Sequence, residues 1–263
     1  MDLSDAARAA GFSLQHRDEI GSTNSAALAA AEAGRDRAWI VADRQMAGRG
    51  RHGRGWVSPA GNLHASLALV DPCPPAATPL LGFVAGLSLA EAILALAPGL
   101  RLVLALKWPN DCLIAGEKLA GILLEGASRP GGGQAVAIGI GVNVAAVPEG
   151  LDQPATALHR HAPHADAAAL FAPLSARLAA NLALFARGGG FPAIRAGWLA
   201  HALPEGAPIR VRLPSGERNG VFAGLGADGQ LLIRTAGGLE SIIAGDVVGA
   251  APMTPEAAVR THL

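Results

Sequence analysis

The sequence predicts an α+β protein, a mixed β-sheet backed by helices with a small β-barrel after it. Three observations predict this. Apolar alternation and β-branched runs recur between positions 38 and 144, broken by turn signals. Alanine- and leucine-rich stretches of helical length flank and interrupt those runs. Beyond Leu203–Pro204 the chain changes to short strands separated by glycine turns. With 263 residues, 51% hydrophobic and 16% charged, it can bury a sizeable core and is not disordered.

Taken in order, Ser4 to Ala10 reads as a short helix stopped by Gly11. A short extended piece follows, then the polar knot Gly21–Ser22–Thr23–Asn24 and an alanine-rich helix ending near Gly34. Side chains of the Ser22, Thr23 and Asn24 type cap the free amides of a first helical turn, and the same groups can hold a polar ligand. Ala38–Asp43 and Asn62–Val70 read as strands, and Pro79–Leu96 as a helix. RLVLALKWPNDCLI is a strand that enters a turn at Pro109–Asn110–Asp111 and resumes. Gly116–Glu117 makes a tight hairpin before the strand Lys118–Gly126, and Gln134–Val144 is the last strand of the main sheet. Helices are expected over Ala165–Ala186 and from Phe191 to about Ala202. IRVRL, GVFAGLG, QLLIRT and SIIAGDVVG supply the barrel strands. These boundaries give units at 1–203 and 204–251 and a patternless tail at 252–263.

Composition excludes several classes. Lys+Arg and Asp+Glu both total 21, whereas a general polyanion binder carries excess positive charge. Cys73 and Cys112 match no paired metal-ligand spacing and are too few for a disulfide framework. The amino terminus lacks the apolar segment of a secretory signal. The apolar run from Leu80 to Ala97 approaches membrane-span length, but it contains Glu91 and several small residues, so a buried helix is expected. A cytoplasmic enzyme without membrane attachment fits these bounds.

Four segments place polar groups beside glycines at strand ends: GSTN (21–24), QMAGRGRHGRGW (45–56), KWPND (107–111) with KLAGILLE (118–125), and GIGVN (139–143). Strand ends are where free amides and adaptable loops make ligand sites. Arg49, Arg51 and Arg54 offer fork-shaped donors suited to phosphate or carboxylate, and the glycines between them let backbone approach a ligand closely. This loop is therefore a solvated turn, a nucleic-acid contact or a lid over an anion. Neither GxxxxGK[ST] nor a GxGxxG turn entering a helix is present there.

In this order and spacing the four segments resemble the biotin protein ligase family, strongly over residues 20–145 and in strand pattern only beyond 203. The resemblance implies a class II synthetase-like catalytic domain and an SH3-like carboxyl-terminal domain. It implies two steps: biotin attacks the α-phosphate of ATP to give biotinyl-5′-AMP, and a lysine of a biotin carboxyl carrier domain, such as that of acetyl-CoA carboxylase, accepts the biotinyl group. Carried over by motif, Ser22, Thr23, Asn24 and Gln45 bind or shape the biotin pocket. Arg49, Gly50 and Arg51 lie over biotin and the adenylate phosphate, and Lys118 reaches the biotin carboxylate and the α-phosphate. Arg51, Arg54, Trp56, Asn110, Asp111 and Asn143 face ATP, and Asp111 is the candidate Mg²⁺ ligand. Lys118 and Arg51 are the candidate catalytic residues.

Plain alternatives stand beside these. Lys118 is alternatively a surface hairpin lysine, and Asn110 and Asp111 alternatively only make the turn. Lys107 is a second phosphate contact or structural, Trp56 and Trp108 are core or pocket wall, and His64 reads as a strand histidine rather than a catalytic base. His52 departs from the arginine the family has there. About 20 residues precede GSTN, too few for a helix-turn-helix domain, so no direct DNA binding is expected. A homodimer through the sheet is compatible with the resemblance. Three rival readings remain: a lipoate or octanoate ligase or transferase, which in the transferases needs a nucleophile such as Cys112; an RGG-like RNA contact; and an inactive biotin sensor.

Overall fold

A computed structural model describes residues 1–151 and 153–250; the tail expected over 252–263 lies outside them. A short helix α1 (Asp5–Ala9), capped by Ser4, leads into β1 (Ser13–Ile20), α2 (Thr23–Glu32), β2 (Ala38–Gln45) and β3 (Leu63–Val70). Then come α3 (Leu81–Leu96), β4 (Leu104–Lys107), β5 (Asp111–Ile114), β6 (Glu117–Ser128) and β7 (Gln134–Val142). Helices α4 (Ala167–Phe185) and α5 (Phe191–Leu199) complete this part. The sheet order is β1-β2-β3-β7-β6-β5-β4. The β1–β2 pair is parallel and the others antiparallel, so the sheet is mixed as expected.

The two sheet faces differ by sequence. Leu63, Ala65, Leu67 and Leu69 of β3 belong to the main apolar core, together with α3 and α4. The run that approached membrane-span length is α3, in which all but Glu91, Ala95 and Leu96 are buried. Glu91 is accommodated because Asn181 of α4 donates to its Oε2 at 3.0 Å and to Ser88 Oγ at 3.1 Å. On the opposite face α2 lies against the sheet through alanine. Ala27, Ala30 and Ala31, at helical spacing, meet Ile40, Ala68, Ala135 and Ala137. Small side chains on both partners let the helix approach closely, which brings its first turn to β7.

The β5–β6 hairpin turns through Ala115 (φ 51°) and Gly116 (φ 82°), one residue earlier than the sequence suggested. Two consecutive positive φ values are the signature of a two-residue hairpin turn whose twist matches the flanking strands.

The carboxyl-terminal strands β8 (Pro208–Leu213), β9 (Gly216–Leu225), β10 (Leu231–Thr235), β11 (Gly238–Ile242) and β12 (Asp246–Ala250) form a sheet ordered β11-β10-β9-β8-β12. This corrects the expected SH3-like barrel: β11 and β12 are the two edges and do not pair, so the sheet is open. The link between those edges, Ile243–Gly245, reaches at most about 14 Å. Edges of a flat five-stranded sheet stand about 19 Å apart. The sheet therefore curls without closing, and the curl carries Asp246 towards the first sheet.

Candidate active site

A single cross-strand row sets the floor of the site. Ala42, His64, Gly141, Gly121, Asp111 and Lys107 are consecutive register partners across β2, β3, β7, β6, β5 and β4. In antiparallel pairs directly opposed residues face the same side, so all six project from one face. Five of them, all but Ala42, border a cleft of about 580 Å³ whose lining includes Thr23, Gln45, Arg51, Trp56, Asn110 and Lys118. The glycines make room for its contents. A methyl group on Gly141 would stand 2.6 Å from the Trp56 ring, and one on Gly139 2.6 Å from Asn24 Oδ1.

At the β4–β5 end of the row sits a triad of charge, with Lys107 and Asp111 buried and Lys118 half-buried. Lys107 Nζ lies 3.0 Å from Asp111 Oδ2 and Lys118 Nζ 2.7 Å from Asp111 Oδ1. Burial pushes the Asp111 carboxyl up, and the two lysines more than offset it, holding the group below the ordinary carboxylate range. Two cations against one anion leave a net positive charge facing the cleft. Lys118 also stands over the Trp56 ring, 5.8 Å from its centroid. Trp56 is thus pocket wall, and Trp108, whose Nε1 donates to Gly229 O at 3.0 Å, ties the cleft rim to the second sheet.

Lys118 reaches this face through a bulge. Cys112 opposes Ala120 and Leu113 opposes Lys118, so β6 carries Leu119 as an extra residue. Without it, strand alternation would send Lys118 to the apolar side.

The first turn of α2 closes the opposite end. Ser22 caps the helix by accepting from Ser25 N at 3.3 Å. Thr23 donates to Gln45 Oε1 from its N and its Oγ1, both at 2.9 Å, and accepts from Ser66 Oγ at 2.8 Å. Gln45 Nε2 donates to Ser58 Oγ at 3.0 Å. One Gln45 N–H and one Thr23 lone pair remain for a ligand. Asn24 donates to Glu125, and its Oδ1 has no partner among the described residues. Trp56 Nε1, His64 Nδ1 and Asn143 Oδ1 are likewise buried and without a partner among the described residues. Buried polar atoms left unsatisfied are uncommon, and these four lie on cleft-lining residues. Burial holds the His64 imidazole below its ordinary pKa, against smaller opposing effects of Pro59 O and Asp43, so it is neutral at pH 7.

The glycine-arginine loop folds over the cleft as a small hairpin, with Arg49 bridged to Gly55. Arg49 donates to Ser25 Oγ at 2.9 Å and to both oxygens of Glu125 at 2.9 and 3.0 Å. Arg51 Nη1 donates to Asp246 Oδ1 at 2.7 Å and to Asn110 Oδ1 at 3.3 Å. Arg54 Nη2 donates to Asp246 Oδ2 at 3.2 Å. His52 takes φ 56°, ψ 33°. Histidine is enriched among the non-glycine residues that tolerate this left-handed region.

The structure thus brings every predicted site residue to one cleft. Sequence reasoning missed four others that shape it: Glu125, Asp246, Ser66 and Asn62. Asn62 Oδ1 accepts from the backbone of Val144, Ala145 and Ala146 at 3.0, 2.9 and 3.0 Å, fixing the chain beyond Asn143. Polar residues at 62, 64 and 66 alternate within an otherwise apolar strand, and that alternation was the available signal for Asn62 and Ser66. The Asp111 carboxylate, with a lysine on each oxygen, does not fit a direct Mg²⁺ ligand. Cys112 does not fit a nucleophile either, because burial first and Asp111 second push its thiol up to about 12.

The site is a glycine-floored cleft with a polar end, a cationic end and an arginine lid, an arrangement suited to a small acid held beside a phosphate. Residues 22–143 match the biotin/lipoate A/B protein ligase family and residues 206–248 the biotin protein ligase C terminal domain. The chain is 42% identical over 236 residues to a biotin–[acetyl-CoA-carboxylase] ligase of Paracoccus denitrificans, covering 86% of this chain and 96% of that one. Biotin protein ligase from Aquifex aeolicus, solved with biotin and ATP, superposes with a TM-score of 0.75 at 29% identity, covering 89% of this chain and 97% of that one. The Leishmania major enzyme in complex with biotinyl-5-AMP gives 0.62 at 25% identity, covering 88% and 99%. The chain belongs to the biotin protein ligase family.

Proposed function

We propose that this cleft carries both half-reactions of a biotin protein ligase. The protein activates biotin with ATP as biotinyl-AMP and transfers the biotinyl group to a lysine of a carrier domain. The observation that supports a residue-level reading is the charge division along the cleft: hydrogen-bonding neutral groups at the α2 end, surplus cations at the β4–β5 end.

In this reading Thr23 and Gln45 direct the head group of biotin into the α2 end, with Ser22 and Asn24 holding the turn that presents them. The carboxylate then points towards Lys118. As its oxygen attacks the α-phosphorus and the bond to pyrophosphate breaks, negative charge grows on the phosphoryl oxygens, and the fixed Lys118 ammonium and Arg51 guanidinium offset it. Asp111 keeps Lys118 in place, and Lys107 keeps Asp111 ionised. Asn110, Asn143 and Trp56 line the nucleotide side, and Arg54 lies at its mouth. Magnesium enters as MgATP, with no protein ligand assigned to it. In the second step the amine of the carrier lysine attacks the acyl carbon and AMP leaves. Closing the arginine loop keeps water from the mixed anhydride in the interval.

The test is direct. Labelled biotin, MgATP and a carrier domain are incubated with the protein, and pyrophosphate release and label transfer are followed. Biotin-dependent pyrophosphate release and label on a single carrier lysine are expected; absence of both overturns the reading.

A further inference from the structure

We propose that Asp246 of the carboxyl-terminal sheet is a positioning residue for the ligase reaction, one that aims Arg51 and holds the arginine loop over the cleft. The inference rests on the assignment of Arg51 to the adenylate phosphate made above.

The loop has little else to hold it. Its sequence is glycine and charge, with no apolar side chain between Gly48 and Gly55. Ordering such a segment costs backbone entropy that apolar burial does not repay. Its amino-terminal limb is tied by Arg49 to Glu125 and Ser25. The tip is tied by one carboxylate, on which three side chains converge: Arg51 Nη1 at 2.7 Å, Arg54 Nη2 at 3.2 Å and His52 Nε2 at 3.5 Å. Arg51 and Asp246 side chains are 23% and 22% exposed, which limits screening by water and salt.

The geometry of the pair gives Asp246 a role beyond attachment. Among the described residues every side-chain hydrogen bond of Arg51 leaves from Nη1, to Asp246, Asn110 and Gly245 O. The remaining guanidinium donors, on Nη2 and Nε, are left for an anion in the cleft. A planar guanidinium gripped at one nitrogen has its other edge fixed in direction. One carboxylate among two arginines and a histidine also leaves the cluster with surplus positive charge, so Asp246 orients Arg51 without cancelling its attraction for phosphate. Asp246 opens β12, whose pairing with β8 fixes its backbone, so the second sheet contributes to the site through this side chain.

The test uses the full-length protein with Asp246→Asn, Asp246→Ala, Asp246→Glu and, as a reference, Arg51→Gly. Measured are KM for MgATP, kcat for biotin-dependent pyrophosphate release, the rate at which biotinyl-AMP escapes without acceptor, and thermal stability. Asp246→Ala is expected to raise KM for MgATP and speed adenylate escape by about tenfold each, the loss expected for one charge-assisted hydrogen bond. Asp246→Asn falls between Ala and wild type, and Asp246→Glu recovers much of the loss. If Asp246→Ala fails to fold, Asp246→Asn, which keeps the shape and an acceptor oxygen, carries the test. Unchanged KM and escape rate in folded Asp246→Asn and Asp246→Ala, beside faster escape in Arg51→Gly, overturn the role of Asp246 alone. Unchanged escape in Arg51→Gly overturns the assignment of Arg51 beneath it.

Discussion

Lys118 meets Asp111 across the β5–β6 pair, Nζ to Oδ1 2.7 Å, only because Leu119 is an extra residue in β6. The ion pair is therefore a product of strand register as much as of charge. With Lys107 on the other oxygen, Asp111 is a buried anion whose stability depends on both neighbours.

Asp111→Asn should lower stability by about 3–5 kcal/mol, the usual effect of removing one partner from a buried charge cluster. Because the folded pKa lies below the ordinary value of about 3.9, the stabilisation is fully present above that pH and is lost as pH falls through the folded value. Thermal melts of wild type and variant should differ most between pH 5 and 8, as estimated from that ordinary value, and converge in stronger acid. A gap that widened as pH dropped would contradict the charge assignment.

Lys118 and Lys107 should separate by function. Lys118 is the more exposed, at 18% against 9% for Lys107, which sits beside Asp111 on the edge strand β4. Lys118→Ala is expected to cut biotin-dependent pyrophosphate release by about a hundredfold or more, as for loss of one preorganised charge at a transition state, with modest loss of melting temperature. Lys107→Ala should do the reverse.

Arg51→Gly should release biotinyl-AMP early. Mixing the variant with biotin, MgATP and an unrelated lysine-rich protein should label the bystander, whereas wild type should not. A bystander left unlabelled by the variant would remove Arg51 from its assigned place.

Gly141→Ala introduces a methyl 2.6 Å from the Trp56 ring on a central strand. Activity should fall at least tenfold, equivalent to about 1.4 kcal/mol, within the usual cost of overpacking. Stability lost in Gly141→Ala should be partly regained in Gly141→Ala with Trp56→Ala, measured by denaturant melts.

Asn62→Ala would strand three backbone amides that now share one oxygen. A loss of about 3 kcal/mol is expected, and Asn62→Asp, which keeps the acceptor, should retain most of the stability.

Legibility in the sequence followed how local each feature is. The knot at 21–24, the loop at 45–56 and the turn at 107–111 each declare themselves within a few letters, because caps, glycines and prolines act on their neighbours. Lys118 was found by its motif, but the bulge that aims it was not, since β6 alternation alone says nothing of which residue lacks an opposite. Glu125 and Asp246 act 76 and 195 residues from the arginines they hold. Their partners are set by sheet order and by the curl of the second sheet. The same limit explains the barrel: the short strands after 203 were readable, whereas whether the first edge meets the last depends on pairing between β11 and β12 that no strand encodes alone.

The row through Gly121 and Gly141 has one more implication, for how this enzyme can be changed. Where a pocket floor is already bare main chain, substitution there can only take space away. On the proposed reading, room for bulkier ligands comes from the roof, at Trp56 or at loop positions other than Arg49 and Arg51, which can vary without disturbing strand pairing. The two sides of the cleft therefore have unequal latitude: the sheet sets the gauge, and the loop is where it can be adjusted.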